Sequence, residues 1–412
     1  MKRKNGFTLI ELLAIIVILA IIAVITGPII LNIIENSQKG AAIDSAYGYK
    51  DAIQKYYVTK SVEDTTQELP SGYKAVSVLP SDFTVSGEKP SDGWIKLEKG
   101  QVVDYSLKIG DYVVTKYADS DVTAVKGVTI NDIVVDEVRY YDAEWIKSHA
   151  VQYNPGHEAV GETEAIAPGK CTIGDDCKTW YPYSEFVQNG EIYVNMIMDR
   201  NTTAKVAWAS YSHWTSVPSD TGVSYPEGIT FTSDNYGSAG NKKGPLTVLN
   251  QLYADTDGWN LARRTDSYTP VSNSYSNYTI DYSGHKARLI SAEEIAFITR
   301  MNTASSSSIW ELSSSTFLYF GTLTNSFSSS DATQLSNQQK YSWLFDYTND
   351  CTSYGCTTPD SSTSGYWTSS PSAGGSNLAW EVGHRGYLDN GFVSYPNNGV
   401  RPVITVLKSD IL

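Results

Sequence analysis

From Phe7 to Leu31 the chain carries one ionisable side chain, Glu11, and directly behind it stand fourteen apolar residues in a row, Leu12 to Ile25. A charge-free run of that length must be covered, either by lipid or by other helices. The basic triplet Lys2-Arg3-Lys4 precedes it and orients an inserted helix with its N-terminal end in the cytoplasm. The eleven Leu, Ile and Val residues of Leu12–Ile25 favour insertion by roughly 3–7 kcal/mol in total. One carboxylate opposes this by about 2.5–3.5 kcal/mol at the bilayer centre, and by less near the edge, where Glu11 falls. Insertion wins. A helix from Phe7 to Ile34 would be roughly 42 Å long, more than the ~30 Å hydrocarbon core.

A cleaved secretory signal would close on small residues after the apolar run. Here the run passes through Thr26-Gly27-Pro28 into Ile29-Ile30-Leu31, and the small residue Gly6 lies ahead of it. A plain single-span anchor accounts for everything except Glu11 and the Gly6-Phe7 junction. These residues carry a resemblance: KNGFTLIELLAIIVILAIIAV (Lys4–Val24) is similar to the N-terminal signature of type IV prepilins and pseudopilins. The resemblance implies cleavage by a prepilin peptidase between Gly6 and Phe7, followed by methylation of the new Phe7 amine. It also implies an assembly role for Glu11, a helix kink at Pro28, and partners in other pilin subunits and the pilus assembly platform. On that reading the chain is a single-pass cytoplasmic-membrane protein before assembly and extracellular afterwards. Glu11 would pair with the Phe7 amine of a neighbouring subunit, since an unpaired carboxylate in an apolar bundle is costly and a paired one is tolerated.

Beyond the apolar run, Ile43, Ala46, Tyr49, Ala52, Ile53, Tyr56 and Tyr57 recur at three- and four-residue steps, with charged residues between them. That spacing predicts an amphipathic helix resting on a domain, continuous from about Phe7 to Tyr57, with Gly40 and Gly48 weakening it modestly. Short alternating runs follow at Tyr73–Val78, Trp94–Leu97, Val102–Ile109 and Asp111–Thr115, separated by glycine-centred turns, and they predict an antiparallel meander. The stretch GEKPSDGWIKLEKGQVVDYSLKIGDYVV resembles the small globular part of Gram-positive type IV pilins. Thr123–Tyr141 reads as a strand-rich connection. The expected organisation is a leader over 1–6, an assembly helix over 7–57, a pilin-like β-domain and connection over 58–141, and a passenger over 142–412.

The passenger is rich in Ser and Tyr, with tryptophans scattered through it; these are expected as core anchors rather than a carbohydrate-binding surface. Ser291 and Glu294 form a capping box that starts a helix at Ala292. Gly365–Pro371, Leu378–Leu388 and Gly399–Leu407 read as closing strands. ARLISAEE, YWTSS and GVRPVI together resemble, over about Ala287–Leu407, a C-type-lectin-like superfamily that includes formylglycine-generating enzymes, which implies a large, loop-rich α+β passenger. The expected fold class is therefore α+β, a long pilin helix on a small antiparallel β-domain followed by a C-type-lectin-like domain.

Four cysteines fall in two local pairs, Cys171 with Cys177 and Cys351 with Cys356. Outside the membrane each pair is expected as a disulfide. A zinc site would want two-residue spacings and histidine partners, whereas the five histidines are scattered singly. Cys351 and Cys356 have a spacing compatible with the cysteine pair of active formylglycine-generating enzymes, but the arginine- and tyrosine-rich setting is missing. With no recognisable catalytic motif, no enzyme activity, metal or cofactor is expected. A net charge of −14 argues against nucleic acid as the main partner. The resulting expectation is a minor or tip pilin presenting its passenger to an unknown surface ligand for adhesion, or initiating assembly. Alternatives are a pseudopilin of a secretion or DNA-uptake system, or a pilin-tethered exported enzyme.

Overall fold

A computed structural model of the chain describes residues 9–63, 66, 68–117, 120–130, 132–135, 137–172, 177–210, 224–225, 229–231, 241, 244–270, 278–299, 318–321, 328–348, 363–372 and 375–411. The fold is α+β, in two compact units over Met1–Glu137 and Val138–Leu412.

The first unit is built on one helix, α1 (Leu9–Glu63), whose 55 residues give a length of about 82 Å. It runs six residues past the expected end at Tyr57. Its second half is amphipathic as the spacing predicts: Ala42, Ala46, Tyr49 and Ile53 are buried against Ile95, Leu97, Tyr105, Leu107 and Val114. Those partners belong to a meander of β1 (Gly72–Ala75), β2 (Asp92–Glu98), β3 (Gln101–Ile109), β4 (Tyr112–Lys116) and β5 (Thr123–Lys126). The strands pair antiparallel in sequence order, with tight turns at Lys99-Gly100 and Gly110 reversing the chain. The run expected as strand to Val78 stops at Ala75 and tightens into a 3-10 turn over Val76–Val78.

Gly48 has a different reason from the weak helix position expected of it. A Cβ there would lie 2.0 Å from the Ser86 carbonyl oxygen, because the Ser86–Glu88 loop crosses α1 at this point. Ser45, one turn earlier, accepts the Glu88 backbone N–H at 3.1 Å and pins the same loop. In an isolated helix Gly48→Ala would gain about 1 kcal/mol. Here the methyl group displaces the loop, at a cost of about 1–3 kcal/mol. The variant is expected to unfold the first unit at lower denaturant, measured by chemical denaturation.

The second unit begins with β6 (Val138–Tyr140) and α2 (Ala143–Ser148), the latter capped by Asp142, whose side chain accepts from the Glu144 and Trp145 amides. Next come β7 (Val151–Asn154), β8 (Gly169–Lys170), β9 (Lys178–Gln188), β10 (Glu191–Met198) and β11 (Thr203–Val206). Helices α3 (Leu246–Thr256) and α4 (Ala292–Thr299) follow, and the unit closes with β12 (Gly365–Pro371), β13 (Leu378–Gly383), β14 (Tyr387–Phe392), β15 (Asn398–Val400) and β16 (Val403–Leu407). The last strand returns to pair with β10, next to β9, so chain ends far apart in sequence share one sheet. A second sheet holds β11, β15, β12, β13 and β14, and its β12–β15 pairing is parallel.

Two of the three expected closing strands are split. Leu378–Leu388 is a hairpin, turned over His384-Arg385-Gly386 with Gly386 at φ +77°. Gly399–Leu407 breaks at Arg401-Pro402, where proline supplies no ladder donor. Gly365–Pro371 is one strand as expected. The core joins both sheets through Trp180, Trp208 and Trp367, each at most 1% exposed, with Leu246, Leu249 and Ile404. The tryptophans are core anchors at these positions, while Trp214 and Trp310 lie outside the described residues.

Candidate functional site

The expected assembly residues fall at the N-terminal end of α1. Gly6, Phe7 and the leader over 1–6 lie outside the described residues, as do the side chains of Glu11 and Pro28. What is described is the helix around them. α1 passes through Pro28 as one element although proline cannot donate to the carbonyl of Val24. Just before it, the Thr26 hydroxyl donates to the Ile22 carbonyl at 2.8 Å.

From Leu9 to Ile34 the described Leu, Ile and Val side chains point outward all round the helix, 43–84% exposed. Fifteen such residues leave an uncovered apolar surface far above the few hundred Å² found on ordinary monomers. Covering it is worth on the order of 10–20 kcal/mol. This half of α1 is left uncovered in the single chain.

Among the described residues no helix is long and apolar enough to cross a membrane.

Comparison with known families supplies the decisive observation: a family profile for the prokaryotic N-terminal methylation motif matches residues 1–27. The chain has the N-terminus of a type IV pilin-like protein. The match covers the junction at Gly6-Phe7, together with Glu11 and the whole apolar run to Gly27. In a pilin-like protein this motif implies processing by prepilin peptidase, assembly with other pilins, and membrane anchoring before surface exposure. Comparisons with curated proteins and with solved structures find no match to the chain.

The other expected sites lie in the second unit. Cys171 and Cys177 form a disulfide, Cα atoms 5.9 Å apart, that closes the segment between β8 and β9. The Cys171 amide donates to the Gln152 carbonyl of β7 at 3.1 Å, so the bridge sits against that strand. Cys351 and Cys356 lie outside the described residues. Among the described residues no group of three or more His, Cys, Asp or Glu is placed to hold a metal ion.

Two buried ionic networks, neither visible as a motif, organise this unit. Glu185 is fully buried; Arg139 donates to it at 2.8 Å, Lys408 at 2.6 Å, and the Tyr141 hydroxyl also donates. Burial alone would raise the Glu185 carboxyl, but the Arg139 and Lys408 charges outweigh it and bring it down to about 2. Glu294 receives both Arg288 terminal nitrogens at 2.6 Å and the Tyr183 hydroxyl at 2.8 Å. Both arms of the capping box form: the Ser291 amide donates to Glu294 at 3.0 Å, and the Glu294 amide to Ser291 at 3.1 Å. The box was legible from the sequence. That its glutamate also neutralises a buried arginine was not, because Arg288 precedes the helix on a non-helical segment. Every member of both clusters is satisfied by its neighbours, so these are structural networks.

Proposed function

We propose that the chain is a minor or tip subunit of a type IV pilus-like filament, its second unit displayed for adhesion or for initiating assembly. The observation that carries this reading is the methylation motif on a continuous 55-residue helix whose N-terminal half is apolar on every face. Before assembly the apolar half rests in the cytoplasmic membrane as a single span; after removal of residues 1–6 and methylation at Phe7, neighbouring helices replace the lipid. Pro28 bends the helix within that packing.

Size supports a rare subunit. The mass is 45.3 kDa, and the second unit holds about two thirds of the chain, a load that would crowd a shaft if repeated in every subunit. The displayed unit is read as C-type-lectin-like on its ARLISAEE, YWTSS and GVRPVI segments, with a binding rather than a catalytic role and an unidentified surface ligand. Immunogold labelling of sheared filaments tests the proposal. Gold confined to filament tips is the expected result, and gold spaced evenly along the shaft would make the chain a major subunit.

A further inference from the structure

The dipeptide Asn-Gly occurs four times in the chain, at 5–6, 189–190, 390–391 and 398–399. As chemistry the four are alike, because glycine carries no side chain to shield its own backbone nitrogen from the asparagine before it. Asn5-Gly6 lies in the leader, outside the described residues. The other three have different surroundings. Asn398 and Gly399 of β15 are buried and pair with Gly365 and Tyr366 of β12. A Cβ at Gly399 would lie 2.3 Å from the Asn201 amide nitrogen. Asn390 and Gly391 lie within β14, opposite Trp380 and Ala379 of β13. The Asn390 amide nitrogen is buried, and a Cβ at Gly391 would meet the Glu381 carboxylate at 2.3 Å and the Trp367 ring at 2.8 Å.

Asn189-Gly190 is the tip of the hairpin between β9 and β10, with Gln188 and Glu191 paired as the last rung. Both tip residues are left-handed, at φ +53° and +82°, the two-residue type I′ loop that favours Asn-Gly. Both are exposed, and a Cβ at Gly190 would meet nothing within 4 Å. The residues that make this turn therefore leave a carboxamide and the next backbone nitrogen side by side in water. Opening a hairpin tip costs far less than opening a sheet interior, where ladder and core must come apart first.

We propose that Asn189 is a self-modifying site, which loses its side-chain amide spontaneously while the fold withholds Asn390 and Asn398 from the same reaction. As the tip opens, the Gly190 nitrogen attacks the Asn189 Cγ and gives up its proton. The carboxamide nitrogen leaves as ammonia, and a five-membered imide closes. Water then adds to either imide carbonyl and opens the ring, to aspartate or to isoaspartate. The step needs water alone, with no oxidant, reductant or enzyme. Both products add a negative charge at the tip, beside Glu191, and isoaspartate also lengthens the backbone of the turn by one carbon. The amide is not regenerated, so the modified fraction records the age of the molecule.

The test compares the folded full chain in detergent with the same chain unfolded in urea, both held in mildly alkaline buffer made with heavy-oxygen water. Peptide mass spectrometry follows each Asn-Gly step over time, and the heavy oxygen marks rings opened during the incubation rather than during digestion. In the folded chain, conversion is expected at Asn189, with Asn390 and Asn398 lagging at least tenfold behind. In urea the three are expected to convert at similar rates, since the same glycine follows each. An isoaspartyl methyltransferase should label the aged, folded chain at residue 189. Failure of Asn189 to convert in the folded chain overturns the proposal, and so does equal conversion of Asn390 or Asn398 there. Persistence of the difference in urea also overturns it, because protection would then not come from the fold.

Discussion

Glu11→Ala is expected to abolish incorporation into filaments while leaving cleavage between Gly6 and Phe7 intact. Cleavage removes Lys2, Arg3 and Lys4 and creates an amine on Phe7 that did not exist before. When apolar helices pack, a carboxylate among them costs several kcal/mol unless it finds a cation. The Phe7 amine of a neighbour is the cation that the proposed assembly makes available. Alanine removes the cost together with the pairing, so the helix remains comfortable in an apolar setting and even enters lipid more easily. What disappears is the penalty on wrong registers along a helix whose other faces are interchangeably Leu, Ile and Val. Surface filaments carrying the chain should fall at least tenfold, read by shearing and immunoblot. Mass spectrometry of the membrane-retained protein should still show Phe7 as its first residue. Normal incorporation of the variant, or a mature terminus elsewhere, refutes this account.

The second large effect is expected in the displayed unit. Glu294→Ala should destabilise it by about 3–5 kcal/mol, because it strands Arg288, whose guanidinium is bound at both nitrogens, in a buried setting. It also removes one arm of the α4 capping box, worth roughly another 1 kcal/mol. The conservative variant Ser291→Ala breaks only the cap and should cost about 1 kcal/mol, so comparing the two in urea separates the ion pair from the helix start.

Acid has a related effect. Burial raises the Glu294 carboxyl, but the Arg288 charge and its hydrogen bonds outweigh this and hold it low; Glu185 is held at about 2. A carboxyl depressed in the folded state adds stability that is complete above its ordinary pKa near 4.5. That stability drains away as pH falls, for Glu185 down to about 2. The wild type should therefore lose stability below about pH 4.5, and Glu294→Ala should lose less over the same range.

Much of this molecule could be read residue by residue. The period of Ala46, Tyr49 and Ile53 and the alternation in β2–β4 report burial on one face, a local property, and both elements form where the pattern puts them. The Ser291 capping box is likewise local, a contact between residues three apart. Sequence reasoning failed where backbone reversals or distant contacts decide the outcome. A hairpin replaces the single strand expected over Leu378–Leu388, because Gly386 adopts φ +77° and the chain reverses there. Gly48 reads locally as a weak helix position, and the loop that needs its missing side chain lies nearly forty residues away.

Two kinds of information therefore divide the protein. The N-terminal apolar run, the acid beside it and the glycine–phenylalanine junction carry the methylation motif within residues 1–27, because such a motif is a property of contiguous chain. The second unit follows different physics. Arg139, Glu185 and Lys408 have charges of known sign at any position, but only the fold brings Lys408 223 residues along the chain to Glu185, and Asn398 to Glu381 across the intervening strand β12. Desolvation there depends on what encloses a group, and enclosure is a property of the tertiary structure alone.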